Sequence, residues 1–143
     1  MYLVDTDHIS ILQQRSNLEW TRLSWRMNER EPTDFFVSVI SFHEQASGWN
    51  TYLSRAKTPR DIIRAYQMFE RVLGDFSTRQ VLPFDEAASE VFESLKKQRV
   101  RVGTLDLRIA SIAIAKQLTL LSRNLKDFLK VPGLDVEDWT AVQ

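Results

Sequence analysis

Cysteine is absent from the 143 residues. That excludes disulfide scaffolds, thiolate-held zinc, iron–sulfur clusters and cysteine nucleophiles together. Histidine is scarce: His8 and His43 are the only two, too few for a three-histidine metal site within one chain. Four glycines and four prolines do not make a collagen-like, linker-rich or disordered chain. No apolar run approaches the ~18 residues of a membrane span. The start, Met1-Tyr2-Leu3-Val4-Asp5, has neither the basic segment nor the long apolar stretch of a secretion signal. The expectation is a soluble protein of the cytoplasm with no membrane partner. The remaining composition, 43% hydrophobic and 27% charged, is that of an ordinary globular protein, and the length predicts a single domain over residues 1–143.

Net charge is zero, yet the charges are unevenly spread. Residues 1–95 carry 10 basic and 14 acidic side chains, a net −4. Residues 96–130 carry nine basic side chains against Asp106 and Asp127, a net +7, and the last 13 residues carry three acids and no base. A basic block inside a neutral chain is either a polyanion surface or a set of solvated helix faces. Lys96, Lys97, Arg99 and Arg101 are its candidate polyanion contacts.

The apolar pattern predicts helices between short buried strands. Tyr2-Leu3-Val4 reads as a strand covered on both faces. Phe35 to Ile40 is the strongest strand signal, and Ser41-Phe42-His43-Glu44 after it reads as a capping box that opens a helix at Ser41. Thr58-Pro59 opens a helix whose apolar face is Ile62, Ile63, Tyr66, Phe69, Val72 and Leu73. Val81 to Phe84 is a third strand. A helix from Asp85-Glu86 buries Ala88, Val91, Phe92 and Leu95 and ends on Lys96-Lys97, as the helix dipole favours. Leu105 to Ala113 is the next helix, Leu118 to Leu121 a fourth strand, Asn124 to Phe128 a single helical turn, and Leu134 to Val136 an edge strand after a turn at Pro132-Gly133. The expected fold class is α/β: an α/β/α sandwich around a mainly parallel sheet of four to five strands.

In an open parallel sheet, ligands bind beyond the carboxyl ends of the strands. Asp5 and Asp7 end the first strand there, Glu44 follows the second, and Ser122, Asn124 and Asp127 follow the fourth. Asp106 opens the helix before strand four. Each has a purely structural alternative: Asp5 caps a helix, Glu44 closes the capping box, Asp106 suits a helix dipole, and Asn124 with Asp127 caps a turn. Converging carboxylates repel and raise one another's pKa unless a cation joins them. Oxygen-only donors favour Mg²⁺ or Mn²⁺.

These segments resemble the PIN domain of VapC-type ribonuclease toxins. Leu3-Val4-Asp5-Thr6-Asp7-His8-Ile9-Ser10 is similar to the first family motif, and Val37-Ser38-Val39-Ile40-Ser41 with Glu44 and Gly48 to the second. Leu82-Pro83-Phe84-Asp85 with Ala87-Ala88 resembles the segment before the third acid. Gly103-Thr104-Leu105-Asp106, Ile109-Ala110, Leu120-Leu121-Ser122-Arg123-Asn124 with Asp127-Phe128, and Val131-Pro132-Gly133-Leu134 to Trp139 complete the likeness. Gln45-Ala46 departs from the more usual Glu-Leu. The resemblance implies a PIN-like fold and a metal-dependent endoribonuclease of a type II toxin–antitoxin pair. It implies Asp5 and Asp106 as metal ligands and Glu44 and Asp127 as the further catalytic acids. Asp7, Ser122 and Asn124 give polar support, with Asn124 the other candidate for the fourth position. It also implies a small VapB-type antitoxin and a homodimer, with Trp20, Trp25, Tyr66 and Phe69 as candidate contact aromatics. For Tyr66 and Phe69, burial in the chain's own core is the competing reading. His8 and His43 read as structural or surface residues.

Two other functions fit parts of the sequence. Asp5-Thr6-Asp7 after a strand is reminiscent of a haloacid-dehalogenase-type phosphatase, although Ile9 stands where that family needs Thr or Val. A PIN-like module that binds RNA or a partner without turnover is the other.

Overall fold

Side chains alternate across a strand, so neighbouring apolar residues in one strand must feed two different cores. The computed structural model, which describes residues 1–142, shows this residue by residue. In β1 (Tyr2–Val4), Leu3 packs with Ala110, Ile112, Leu120 and Phe128 on one face. Val4 packs with Ile9, Leu23, Val72 and Trp139 on the other. Leu120 and Leu121 in β4 (Thr119–Leu121) divide the same way. This is why the strands show no polar alternation.

Five strands are found among the described residues, in the order β3-β2-β1-β4-β5, every pairing parallel. The others are β2 (Phe35–Ser38), β3 (Val81–Leu82) and β5 (Val136–Glu137). One face carries α1 (Thr6–Gln14), α2 (Leu18–Asn28) and α4 (Pro59–Ser77). The other carries α5 (Glu86–Lys97), α6 (Thr104–Lys116) and the single turn α7 (Leu125–Phe128). The PIN-like α/β/α sandwich is therefore present, with its sheet wholly parallel. No described helix is long and apolar enough to cross a membrane.

Several boundaries differ from those the sequence predicts. The second strand stops at Ser38, and α3 (Val39–Ser54) takes Val39 and Ile40. Ser38 is the cap: its Oγ accepts from the Ser41 N–H at 3.1 Å. A hydroxyl at the true strand end outweighs the weak strand preference of two β-branched residues. Glu44 therefore closes no capping box. The third strand is only Val81–Leu82, and the edge strand is Val136–Glu137, one to two residues later than expected.

The largest difference lies in α4. Its buried residues are Ala65, Val72 and Phe76, while Ile62, Ile63, Tyr66 (57% exposed) and Leu73 (67% exposed) face outward. Burying Tyr66 in the chain's own core is thereby excluded, and Phe69 is half-buried. Periodicity identifies an apolar stripe but not which protein surface covers it. Trp20 is half-buried and Trp25 is 63% exposed.

The chain order turns at β1: β2 and β3 lie on one side, β4 and β5 on the other. A reversal of this kind leaves a crevice at the carboxyl ends of β1 and β4. The Asp5 N–H donates to Leu121 O at 2.9 Å, so β1 and β4 stay paired up to the rim.

Candidate metal centre

Asp5 stands at the end of β1 and caps α1. Its Oδ1 accepts from the Thr6 N–H at 2.8 Å, so the capping reading holds, but the group does more than cap. Its Oδ2 accepts from Ser122 Oγ at 2.7 Å, and Ser122 is fully buried just past β4. Glu44 reaches in from the second turn of α3, where Thr6 Oγ1 lies 2.9 Å from Glu44 Oε1. Asp106 sits in the first turn of α6, whose N-cap Gly103 offers no side chain. One carboxylate oxygen from each of Asp5, Glu44 and Asp106 lies within 4.8 Å of the others. Three chain segments thus deliver three acids to one point.

The electrostatics show the cost of this crowding. Burial pushes the Asp5 carboxyl up to about 7, and the charges of Asp7 and Asp106 push the same way against the Ser122 and Thr6 hydrogen bonds. Glu44 is raised by burial and by Asp106 and Asp7, with the Thr6 hydrogen bond opposing. Asp106 is raised by burial, then by Asp127 and Asp7. All three carboxyls therefore resist ionisation together. A hard divalent cation among them reverses that penalty, and an oxygen-only donor set of this kind suits Mg²⁺ or Mn²⁺.

The other predicted polar residues surround this group in distinct ways. Asp7 lies outside the three-acid group. Its Oδ1 accepts from His8 Nδ1 at 2.8 Å and its Oδ2 from the Arg123 N–H at 2.9 Å. Burial opposes ionisation at Asp7, but the His8 and Arg123 contacts hold its carboxyl below the usual range. Ser122 also accepts from the Asn124 N–H at 3.0 Å, which fixes the loop after β4. Asn124 does not cap α7 with its side chain. Its Nδ2 donates to Asp106 Oδ2 at 3.3 Å and to Asp127 Oδ2 at 3.1 Å. Asp127 lies outside the three-acid group and is engaged by Asn124 and by Lys130 Nζ at 3.3 Å, which keep its carboxyl low.

His8 is fully buried. The Trp139 N–H, which can only donate, points at its Nε2 at 3.3 Å, so Nδ1 carries the proton that bonds Asp7. His43 is exposed on α3.

Lys96, Lys97, Arg99 and Arg101 are all exposed. Their place follows from one ion pair: Lys116 Nζ, at the end of α6, meets Asp85 Oδ2, the cap of α5, at 3.3 Å. The two helices are antiparallel, so the basic end of α5 lies beside the start of α6, which carries Asp106. Sequence reasoning missed Thr6 and Ser41 as parts of the site. The signal available was only a pair of small hydroxyl residues near two acids.

No protein-family model matches the chain. It is 42% identical over 105 residues to Ribonuclease VapC1 of Rickettsia felis, covering 71% of this chain and 73% of that one. It is 37% identical over 65 residues to Ribonuclease VapC2 of the same organism; that match spans only 46% of each chain. The VapBC-1 structure from nontypeable Haemophilus influenzae superposes with a TM-score of 0.73 at 22% identity, covering 98% of both chains. The last likeness is one of fold. The first, at 42% identity over more than two thirds of that protein, shows kinship: the chain belongs to the VapC-type ribonuclease family of PIN-domain toxins.

Proposed function

We propose that the chain is a Mg²⁺- or Mn²⁺-dependent endoribonuclease, the toxin of a type II toxin–antitoxin pair. The observation that carries this is the meeting of Asp5, Glu44 and Asp106 within 4.8 Å at the rim between β1 and β4. A bound divalent cation supplies charge neutralisation at the phosphate and acidifies water at neutral pH. Asp5 and Asp106 would hold it, with Glu44 as third donor or as base. Water attacks the phosphorus and the bond to the leaving oxygen breaks, that oxygen taking a proton from solvent water. In the role of base, Glu44 would accept the proton of the attacking water. Ser122 orients Asp5, and Asn124 orients Asp106. Asp127 contributes charge to Asp106 and anchors Asn124.

The function is tested with purified protein, Mn²⁺ and cellular RNA. Cleavage is expected from the wild type, none with excess chelator and none from Asp106→Asn. Asp127→Asn is expected to retain most activity, since it still bonds Asn124. Intact RNA in every arm would favour a non-catalytic binding module instead.

Lys96, Lys97, Arg99 and Arg101 hold the flanks of the RNA in this reading. Replacing Lys97, Arg99 and Arg101 together by Ala is expected to weaken RNA binding roughly equally across sequences. The slope of log K on log salt should fall by about 0.7 per lost phosphate contact. Binding by filter retention across a salt series measures both; a slope that does not change refutes the assignment. A small VapB-type antitoxin is the proposed protein partner, supported by the VapBC name of the Haemophilus fold neighbour. A second copy of the chain is the other, supported by the uncovered apolar residues of α2 and α4.

A further inference from the structure

Glutamate has three rotatable side-chain bonds, so delivering the Glu44 carboxylate to a fixed point requires a partner that holds it. Thr6 is that partner. It is the first residue of α1, directly after Asp5, and its Oγ1 lies 2.9 Å from Glu44 Oε1 and 2.9 Å from Ser41 Oγ. Ser41 is fully buried on α3, three residues before Glu44. An ionised carboxylate only accepts, so the single Thr6 hydroxyl proton points at Glu44 and the Ser41 proton turns toward Thr6. Each hydroxyl then has one direction to donate. Thr6 is also β-branched, which restricts its own rotation.

The two helices that carry this contact are tied a second time farther along. The side-chain amides of Gln13 on α1 and Gln45 on α3 bond each other reciprocally at 3.1 and 3.0 Å. The Thr6–Glu44 distance is therefore set by a crossing clamped at two points.

We propose that Thr6, itself held by Ser41, is a positioning residue that sets the Glu44 carboxylate against Asp5 and Asp106. The proposal rests on the metal-dependent nuclease reading above and adds a residue to its machinery. Thr6 acts through Glu44 and touches neither cation nor RNA. Partners of this kind around metal-holding side chains are typically worth about 10–100-fold in metal affinity or activity.

The test compares wild type, Thr6→Val, which keeps the branched shape without the hydroxyl, and Thr6→Ser, which keeps the hydroxyl. Mn²⁺ affinity of the metal-free proteins is measured by titration calorimetry, kcat and KM by RNA cleavage, and stability by urea unfolding. Thr6→Val is expected to weaken Mn²⁺ binding and to lower kcat by about tenfold or more, with KM within about twofold. Thr6→Ser is expected to recover both to within about threefold. Thr6→Val indistinguishable from wild type in Mn²⁺ affinity and kcat overturns the proposal. So does Thr6→Ser as impaired as Thr6→Val, or a fall in urea midpoint with Mn²⁺ affinity unchanged. A wild type that neither binds Mn²⁺ nor cuts RNA overturns the nuclease reading and the proposal with it.

Discussion

Replacing Asp5 by Asn is expected to lower RNA cleavage drastically and at the same time to stabilise the metal-free protein above neutral pH. The two effects have one cause. Asp5 is 5% exposed, and its carboxyl rises from the usual 3.8 to about 7 because burial and then Asp7 disfavour its charge. Between about pH 4 and pH 7 the folded protein keeps a proton at Asp5 that the unfolded chain releases. Stability therefore falls as pH rises through that window, and the loss is complete above it. At about 1.4 kcal/mol per pH unit, the loss reaches at most about 4 kcal/mol.

Asparagine removes the charge while its Oδ1 keeps the cap to the Thr6 N–H. Its amide N–H can donate to Ser122 Oγ, whose proton then turns to Asp7 Oδ2, 3.3 Å away. A net gain of about 2 kcal/mol at pH 8 and a flattened pH profile between 4 and 7 are expected in urea unfolding. Cleavage is expected to fall by about a thousandfold, the scale on which one preorganised charged or polar group contributes. Saturating Mn²⁺ should stabilise the wild type by about 3 kcal/mol at a hundred times its dissociation constant, and the variant by much less. An unfolding profile for the wild type that is flat from pH 4 to 8 would contradict the buried, crowded carboxyl.

Trp139→Ala is expected to cost about 3–5 kcal/mol, among the largest single losses the fold can show. Trp139 is 1% exposed although it lies after the last strand. Its ring centroid is 4.7 Å from that of Tyr2 and 6.0 Å from that of Phe35, and the Arg26 guanidinium sits 4.6 Å from it. Its indole N–H donates to Glu137 at 2.6 Å. Its backbone N–H reaches His8, whose other nitrogen holds Asp7. Truncation therefore opens a cavity between α2 and the sheet and loosens the residue that fixes the His8 tautomer. The urea midpoint measures the first effect. The second is read as a shift of the His8 ring resonances in nuclear magnetic resonance; unchanged resonances would show that the backbone bond survives without the ring.

The acids of the site were recognisable in the sequence because each sits next to a feature with its own local signature. Asp5 follows a three-residue apolar run, Asp106 opens a helix after Gly103, and Ser122 and Asn124 follow a short buried strand. Their convergence required only that parallel strands end on one edge. Glu44 is legible from its place one turn after the second strand, and its purely structural alternative fails: the capping box at Ser41 is absent, and Ser38 does the capping. Local hydrogen-bond patterns of Ser-x-x-Ser and Ser-x-x-Glu look alike until the strand end is known.

Residue order alone carries the strand and helix succession, the two-sided burial of β1 and β4, and which oxygen donors the chain has to offer, because periodicity and the absence of cysteine act locally and by exclusion. That Asp7 meets His8 while Glu44 meets Thr6 emerges with the folded arrangement. It alone placed Asp127 behind Asn124 and left the α4 stripe of Ile62, Tyr66 and Leu73 uncovered. Those outcomes depend on contacts between residues far apart in the chain, where small differences in distance and partner choose among side-chain directions that the chain's local chemistry leaves equivalent.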